Sequence, residues 1–243
     1  MQKQQLSDFE GILLIDKEAG CTSHDVVDRA RRILKMRSIG HAGTLDPNAT
    51  GLLVLLVGKA TKASQYLMSL DKTYEGEFEL GVETDSHDSD GEVVAESPVP
   101  EGLTEDSLRE HMARFIGDQY QTPPMFSAKK IGGIPLYKLA RQGQEVAREP
   151  RFIRVSRFEL LSWNRPKGRF ALSCSKGTYV RTLCHDLGRR IGCGARMTAL
   201  RRVSSDKFDV ADAVTLDELA RMNPSAVKKI LIPVRSAVPS FAF

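Results

Sequence analysis

The sequence predicts an α+β fold in which a central mixed, largely antiparallel sheet is flanked by helices. Short apolar or alternating runs, which are typical of strands, are interrupted by amphipathic runs that have helical spacing. In the second half of the chain, strand-like runs follow one another closely enough to pair as hairpins. Strands interrupted by helices, with hairpins late in the chain, favour this class over a purely parallel sheet.

The first half of the chain begins with a strand followed by a helix. GILLID (11–16) is short and apolar, as in a buried strand. TSHDVVDRARRILK follows, with Thr22 or Ser23 as the capping residue and apolar residues at helical spacing. LLVLLV (52–57) predicts a second buried strand, and KATKASQYLMS (59–69) predicts a short helix.

The next elements are a strand, an acidic loop and a surface helix. KTYEGEFELG (72–81) alternates strictly, which predicts a half-buried strand. TDSHDSDGE (84–92) has the composition of a calcium loop. With Gly91 at the glycine position, however, serines fall on the first and the bidentate ligand positions, so we expect an acidic turn. TEDSLREHMARFIG (104–117) predicts a helix capped by Thr104.

The second half of the chain predicts a hairpin followed by a helix, a strand and two short helices. FIRVSRFELLSW (152–163) and RFALSCSKG (169–177) are expected to be neighbouring antiparallel strands. TYVRTLCHDLGRRIG (178–192) predicts a helix, and ARMTALRRVSSDKF (195–208) predicts a strand. The tail, residues 215–234, predicts two short helices.

Length, hydropathy and cysteine pattern limit the class of protein. The 243 residues allow one large domain or two small ones, and we expect a single domain over residues 1–243 because no repeat or clean boundary is visible. There is no run of about 18 apolar residues and no apolar signal core at the N-terminus, so the expected location is the cytosol. The four cysteines form no CxxC pair and are expected to be free thiols. Cys184, His185 and Cys193 do not have zinc-site spacing, so we expect no metal.

The charge distribution points to nucleic acid. The formal net charge is +4, but residues 75–118 hold fourteen acidic and two basic residues, a net charge of −12. Residues 121–207 hold nineteen basic and five acidic residues, a net charge of +14. A block that basic usually faces phosphates. The alternative is that both blocks are solvated surfaces that neutralise each other.

Residues 121–151 form a segment rich in Pro, Gly, Lys and Arg that also carries Met125, Phe126 and Tyr137. This composition predicts an ordered loop that grips nucleic acid, because aromatic faces stack on bases while cations contact phosphates. The alternative is a basic surface hairpin with a small apolar cluster of its own.

The stretch GHAGTLDPNATG (40–51) holds one carboxylate, Asp46, among small residues. The tripeptide Asp46-Pro47-Asn48 by itself predicts a type I turn. Proline restricts the residue before it to extended conformations, and the flanking glycines permit close approaches that a side chain would forbid. A constrained carboxylate among small residues is suited to be a nucleophile or base toward a bulky substrate. The pattern does not identify the reaction.

GHAGTLDPNATGLL also closely resembles the catalytic motif of the TruB-type tRNA pseudouridine synthases, the family that includes dyskerin. Other segments resemble the same family, in family order: LLIDKEAGCTSHDVV, KTYEGEFELG, PPMFSAKKIGGIPLYKLAR, SKGTYVRTLCHDLG and ALRR. The resemblance spans roughly residues 11–205 and implies the pseudouridine-synthase fold with a basic RNA-clamping insertion over 121–151. Many relatives continue into a small PUA-type RNA-binding domain, and we expect none here because the sequence stops at IPVRSAVPSFAF.

The resemblance implies isomerisation of the T-loop uridine, position 55 of tRNA, to pseudouridine. The reaction breaks the N1–C1′ bond, turns the base and joins C5 to C1′. Nothing is gained or lost overall, so no cofactor is expected. The target base must be flipped out of a folded loop, and recognition is expected to rest on RNA shape and backbone. The implied partner is the T arm of tRNA, with no membrane and no obligate protein partner.

The resemblance also assigns residues, position by position. Asp46 matches the family nucleophile, Arg181 the arginine that pairs with it, and Tyr74 the tyrosine that stacks on the target base and is a candidate to take its proton. His41, Tyr179 and Leu200 match positions around the uridine. The candidate RNA-binding residues of the insertion are Lys129, Lys130, Tyr137 and Arg141. Without the resemblance, Arg181 would be a helix-surface cation, Tyr74 a strand residue and Leu200 a core residue.

Two other functions compete with the isomerase. The first is a non-catalytic tRNA-binding or RNA-folding factor. The set Asp46, Tyr74 and Arg181 favours the enzyme, because pure binding needs no ionised nucleophile facing a negative ligand. The second is an acid-dependent hydrolase, but such enzymes usually pair two carboxylates, and the motif has only one.

Overall fold

The computed structural model describes residues 9–127 and 130–237. The chain forms two compact units, the first comprising residues 1–74 and 201–243 and the second residues 75–200. Over the described ranges, no helix has the length and apolar character needed to cross a membrane.

The elements alternate between strands and helices along the chain. The strands are β1 (Gly11–Lys17), β2 (Ile39–His41), β3 (Thr50–Val57), β4 (Lys72–Leu80), β5 (Val82–Thr84), β6 (Val93–Glu96), β7 (Gly117–Gln121), β8 (Lys130–Ile131), β9 (Ile134–Pro135), β10 (Arg151–Asn164), β11 (Lys167–Cys174), β12 (Ala195–Ser205) and β13 (Phe208–Asp209). The α-helices are α1 (Ser23–Leu34), α2 (Ser64–Met68), α3 (Glu105–Ala113), α4 (Leu136–Ala140), α5 (Val180–Ile191), α6 (Leu216–Arg221) and α7 (Pro224–Ile230). Three short 3₁₀ helices cover Gly58–Ala63, Val210–Asp212 and Val234–Ser236.

In the first unit, β3 has partners on both edges. One edge pairs antiparallel with β1, from Gly11 opposite Val57 to Lys17 opposite Gly51. The other edge is shared by β2, which is antiparallel and opposite residues 55–57, and by the end of β12, which is parallel and opposite the first residues of β3. This sheet is therefore mixed. The segment between β2 and β3 leaves that edge and returns to it, and it contains the predicted catalytic loop.

Both faces of β1 and β3 are buried, because their side chains alternate between two apolar clusters. One cluster packs the strands against α1, α6 and α7; its strand residues are Leu13, Ile15, Leu53, Leu55 and Val57. The other packs them against α2 and the first 3₁₀ helix; its strand residues are Ile12, Leu14, Leu52, Val54 and Leu56. Burial on both faces explains why these strands are continuous apolar runs rather than alternating ones.

The first helix begins with a capping box. The Thr22 side chain accepts a hydrogen bond from the Asp25 N–H, and the Asp25 carboxylate accepts one from the Thr22 N–H at 2.8 Å. This reciprocal pair satisfies two of the donors that a helix start leaves without helical partners. Of the two predicted caps, Thr22 is therefore the one used, and Ser23 has another role described below.

In the second unit, β7, β10 and β11 form an antiparallel sheet to which β4 and the first part of β12 belong, in the order β12-β4-β11-β10-β7. The helix α3 packs against β10 and α5. Phe158 and Phe170 meet edge to face in the buried layer, with ring centroids 5.5 Å apart. Mixed sheets with flanking helices confirm the predicted α+β class.

Two elements differ in detail from the sequence-based expectation. The helix expected over 59–69 begins as a 3₁₀ helix and becomes α-helical only at Ser64. The strand expected over 195–208 ends at Ser205, where Asp206 adopts a left-handed φ of 52° and turns the chain into β13. Aspartate is one of the few residues that tolerates this region, so the turn is compatible with the sequence although hydropathy does not predict it.

Candidate active site

Asp46 lies in a tight turn of the first unit. The Ala49 N–H donates to the Asp46 carbonyl at 3.1 Å, which closes the four-residue turn predicted from Asp-Pro-Asn. Asp46 is half-buried, whereas Pro47 and Asn48 are exposed. The turn therefore places its one acid at the boundary between protein and solvent.

Lys17 supports this turn from beneath. It is 1% exposed, and its ammonium group donates to the carbonyls of Glu18 at 2.9 Å, Pro47 at 2.8 Å and Ala49 at 2.7 Å. An ammonium group has three donors, so all of them are used. Two of the three acceptors belong to the Asp46 turn, and the lysine thereby ties the turn to the end of β1.

Arg202 holds the preceding part of the loop. It is 2% exposed and donates to the carbonyls of Leu52 at 2.6 Å, Gly43 at 3.1 Å and Thr44 at 3.5 Å. A Cβ at Gly51, where φ is +94°, would lie 2.3 Å from the Arg202 carbonyl oxygen. Glycine is needed here because β3 and β12 approach too closely for any side chain.

Ser23 ties the loop to α1. Its hydroxyl accepts a hydrogen bond from the Leu45 N–H at 2.8 Å and donates to the Leu45 carbonyl at 3.1 Å. The residue directly before Asp46 is thus held at both of its backbone polar groups. Three side chains, Lys17, Ser23 and Arg202, together constrain the backbone from Gly43 to Ala49.

The two buried cations also determine the electrostatics around Asp46. Burial lowers the pKa of Lys17, while its electrostatic interactions with Cys21 and Asp46 act to raise that pKa. Arg202 contributes a second positive charge next to the same loop. A carboxylate beside positive charges is stabilised in its ionised form, which is the form a nucleophile or base requires.

His41 and Tyr74 belong to the same unit. His41 ends β2 and is half-buried. Burial, followed by the positive charge of Arg202, lowers the pKa of His41, so its imidazole is neutral at neutral pH. Tyr74 lies in β4 and is 8% exposed. The alternating burial of β4 confirms the half-buried strand predicted around Tyr74.

Arg181 lies in the first turn of α5 in the second unit and is 5% exposed. Its Nη1 donates to Asp88 Oδ2 at 3.1 Å, and its Nη2 donates to the Phe126 carbonyl. Asp88 is itself 8% exposed and accepts from the Ser86 hydroxyl and from the Asp90 N–H. The loop over residues 84–92 is thus a turn that buries one carboxylate against Arg181.

Tyr179 caps α5 without using its own side chain. The Tyr179 N–H donates to Gln121 Oε1 at 2.8 Å, and Gln121 Nε2 donates to the Tyr179 carbonyl at 3.0 Å. Gln121, which ends β7, therefore positions the start of the helix that carries Arg181. The Arg181 guanidinium lies 5.9 Å from the Tyr179 ring centroid, within cation–π range. Leu200 in β12 is half-buried rather than fully in the core.

Two histidines lie next to the Arg181–Asp88 pair. The rings of His87 and His185 stack with centroids 3.9 Å apart and planes inclined by 6°. Burial, the neighbouring His185 and nearby arginines lower the pKa of His87 to about 3. Burial also lowers the pKa of His185. Both rings are therefore neutral at neutral pH.

Asp186, also in α5, yields a prediction of pH-dependent stability. Burial raises its pKa to about 6. Since this folded-state pKa lies above the unfolded value of about 3.9, the folded state holds a proton that the unfolded state releases, and stability falls as the pH rises from about 4 to 6. We expect Asp186→Asn to raise the melting temperature at pH 7.5 by about 2–4 °C, roughly 1 kcal/mol after allowance for solvent screening.

The measurement is the melting temperature of wild type and variant at pH 4.5 and 7.5. The gain should shrink at pH 4.5, where the wild-type carboxyl is mostly protonated in the folded state. Asp212→Asn, which removes the charge of an exposed aspartate, is the control and should show no such pH dependence. An equal gain for Asp186→Asn at both pH values would contradict the assignment.

The predicted RNA-binding residues lie in the excursion over residues 121–151. Tyr137 is the second residue of α4, and its N–H donates to the Ser127 carbonyl at 3.1 Å. The Arg141 guanidinium lies 5.6 Å from the Tyr137 ring centroid. Lys130 is part of β8, paired with Pro135, and Lys129 lies outside the described residues. Within the described part of this segment, β8 and β9 pair as a short hairpin that leads into α4, and residues 141–150 belong to no helix or strand.

Three buried charged residues that contact the Asp46 loop or Arg181 were missed by the sequence analysis: Lys17 and Arg202 bind the loop in the first unit, and Asp88 binds Arg181 in the second. Lys17 and Arg202 belong to segments that resemble the family, LLIDK and ALRR, but neither was assigned a role. Asp88 was considered only as a calcium ligand. Hydropathy places lysine, aspartate and arginine on the surface. The roles of these three residues become visible only from their hydrogen bonds to carbonyl and carboxylate oxygens in the folded chain.

Two sequence-family models cover most of the chain. The model of the TruB family pseudouridylate synthase N-terminal domain matches residues 31–180, and that of the tRNA pseudouridylate synthase B C-terminal domain matches residues 181–239. The protein named tRNA pseudouridine synthase B from Opitutus terrae is 60% identical over 237 residues, which cover 98% of each chain. The protein of the same name from Syntrophotalea carbinolica is 48% identical, over 96% of this chain and 76% of the relative.

Solved structures show the same fold. A Cbf5-Nop10-Gar1 complex contains a chain that matches 94% of this one with a TM-score of 0.73 and 29% identity. A structure of an H/ACA RNP bound to a substrate RNA containing 2′-deoxyuridine matches 94% of this chain with a TM-score of 0.70 and 26% identity. This chain spans about three fifths of each of those chains, 61% and 60% of their lengths.

Proposed function

The chain belongs to the TruB family of pseudouridylate synthases, and from this premise we propose that it converts the T-loop uridine at position 55 of tRNA to pseudouridine with Asp46 as the nucleophile. We further propose that residues 1–243 act as one catalytic domain whose RNA partner is the T arm. The observation that carries the proposal is the loop around Asp46, whose backbone is held by two buried cations.

The chemistry needs a carboxylate that is ionised and immobile. Lys17 and Arg202 supply both properties, because they bind the carbonyls of the loop and place positive charge beside it. Asp46 then assists cleavage of the N1–C1′ bond. After the base turns, C5 bonds to C1′, the C5 proton leaves and N1 takes up a proton, so atoms and electrons balance without a cofactor. Attack at the sugar, attack at the base and a glycal route all use this carboxylate.

The remaining roles follow the family resemblance. Tyr74 stacks on the flipped base and takes the C5 proton, and Arg181 pairs with Asp46 when substrate excludes water. A neutral His41 is compatible with a place beside the everted nucleotide, since it adds no charge next to the nucleophile. Tyr179 and Leu200 line the uridine pocket. The excursion clamps the T arm through Lys129, Lys130, Tyr137 and Arg141.

The test is release of tritium from a T-arm RNA labelled at C5 of its uridines. Isomerisation replaces the C5–H bond by a C5–C1′ bond, so each turnover releases one label to water. We expect multiple turnovers on the T-arm RNA and none on the same RNA with cytidine at the target position. Binding of the RNA without any release of tritium would contradict the proposal and favour a non-catalytic RNA-folding factor.

A further inference from the structure

The side chain of Gln121 binds the backbone of Tyr179 at both of its polar groups. Gln121 Oε1 accepts from the Tyr179 N–H at 2.8 Å, and Gln121 Nε2 donates to the Tyr179 carbonyl at 3.0 Å. Gln121 is 4% exposed. A side-chain amide offers a donor and an acceptor side by side and carries no charge. Leucine would lack both groups, and ionised glutamate would lack the donor, so the chemistry of residue 121 is used here as well as its size.

The segment that leads into α5 is held at its two ends by neighbouring strands. At one end, the Ser175 N–H donates to the Arg154 carbonyl at 2.8 Å, and the Ser175 hydroxyl accepts from the Arg154 N–H at 2.8 Å. At the other end, Gln121 holds Tyr179, whose backbone is extended (φ −95°, ψ 102°) and whose side chain makes no capping hydrogen bond. Hydrogen bonds from β10 and β7 thus fix the place at which α5 begins.

The Tyr179 carbonyl that Gln121 binds also closes the first turn of α5. It accepts from the N–H groups of Thr182 and Leu183, at 3.1 and 3.3 Å. Arg181 lies within this turn, and its guanidinium lies 5.9 Å from the Tyr179 ring centroid. A shift of the Tyr179 backbone would therefore move both the Tyr179 ring and the Arg181 guanidinium.

We propose that Gln121 is a positioning residue for the isomerisation, because its amide sets the places of the Tyr179 ring and the Arg181 guanidinium. The inference rests on the proposed function, in which Tyr179 lines the uridine pocket and Arg181 pairs with the nucleophile. In this role Gln121 acts through Tyr179. A displacement of about 1 Å can lower a rate about 10²-fold. The segment keeps its anchor at Ser175, so we expect a smaller displacement and an effect on the chemical step rather than on RNA affinity.

The test compares leucine variants of two glutamines in β7. Gln121→Leu removes both bonds to Tyr179, and Gln119→Leu, at a half-buried position, removes the bond that Gln119 Nε2 donates to the Phe115 carbonyl. For tritium release from the T-arm RNA by the folded fraction, we expect Gln121→Leu to lower kcat about tenfold and to keep Kd within about threefold of wild type. Gln119→Leu, the control, should keep kcat and Kd near wild type.

Gln121→Glu is a second variant that keeps the shape of the side chain. Its ionised carboxylate accepts from the Tyr179 N–H but repels the Tyr179 carbonyl, whereas its protonated carboxyl again has a donor and an acceptor. Burial favours the protonated form, so we expect kcat relative to wild type to be about fivefold lower at about pH 8 and to recover as the pH falls to about 5.5. The ratio for Gln119→Glu should not change with pH in this way.

Three results would overturn the positioning role. They are wild-type kcat in folded Gln121→Leu, equal losses of kcat in both leucine variants, and a kcat ratio for Gln121→Glu that does not change with pH. A merely structural role gives the first of these together with a lower melting temperature. A wild type that binds the RNA without turnover would refute the proposed function and this role with it, whereas wild-type turnover with an unaffected Gln121→Leu would refute this role alone.

Discussion

Asp46→Asn is expected to abolish isomerisation while tRNA binding is retained. The amide has the size of the carboxylate, so the contacts of Lys17 and Arg202 with the loop carbonyls are preserved. It lacks the negative charge and the nucleophilic oxygen pair. Removal of a nucleophile from an enzyme reduces kcat by about 10⁴-fold or more, and we expect tritium release to fall by at least this factor.

The affinity measurement separates chemistry from folding. The Kd of the Asn variant for tRNA should stay within about threefold of wild type, or improve slightly because a negative charge facing RNA has been removed. Asp71→Asn, at an exposed aspartate of the same unit, is the matched control and should retain full turnover. Wild-type tritium release by Asp46→Asn would remove Asp46 from its proposed role.

Asp88→Asn is expected to have the second-largest effect, because Asp88 positions Arg181. Asp88 binds Arg181 at 3.1 Å with side-chain exposures of 12% and 6%. Loss of one charge from a buried pair leaves the other poorly compensated and costs about 3 kcal/mol, a fall in melting temperature of about 6–12 °C. If Arg181 stabilises the reacting carboxylate, kcat should also fall by about 10²-fold.

The control is on the same loop. Asp85 is exposed and its carboxylate accepts from the Glu92 N–H at 2.9 Å, so Asp85→Asn removes the same charge without touching Arg181. Stability and kcat should both stay near wild type in that variant. The informative readout is kcat of the folded fraction of Asp88→Asn. A merely structural role for Asp88 would lower the melting temperature and leave this kcat unchanged, and that result would contradict the positioning role.

Elements with strong local signals were predicted correctly. The strands β1 and β3 and the helix α1 each have a periodic apolar pattern, and α1 also has a side-chain cap within its own segment. The turn at Asp46 was likewise predictable, because proline and aspartate determine its backbone locally. The resemblance to family motifs proposes Asp46 and Arg181 as site residues, and this assignment stays a prediction; from sequence pattern alone Arg181 would have been a surface cation. It is 5% exposed.

The sequence by itself determined the class of fold, the elements and the acid at the centre of the candidate site, because periodicity, caps and turn residues act over a few neighbouring positions. Only the tertiary structure revealed that Lys17 and Arg202 are buried beneath the Asp46 loop and that Asp88 pairs with Arg181. Arg202 binds the carbonyl of Leu52, 150 residues away in sequence, and Arg181 binds a carboxylate 93 residues away. A buried charge is stable only where distant partners converge on it, and that convergence exists only in the folded chain.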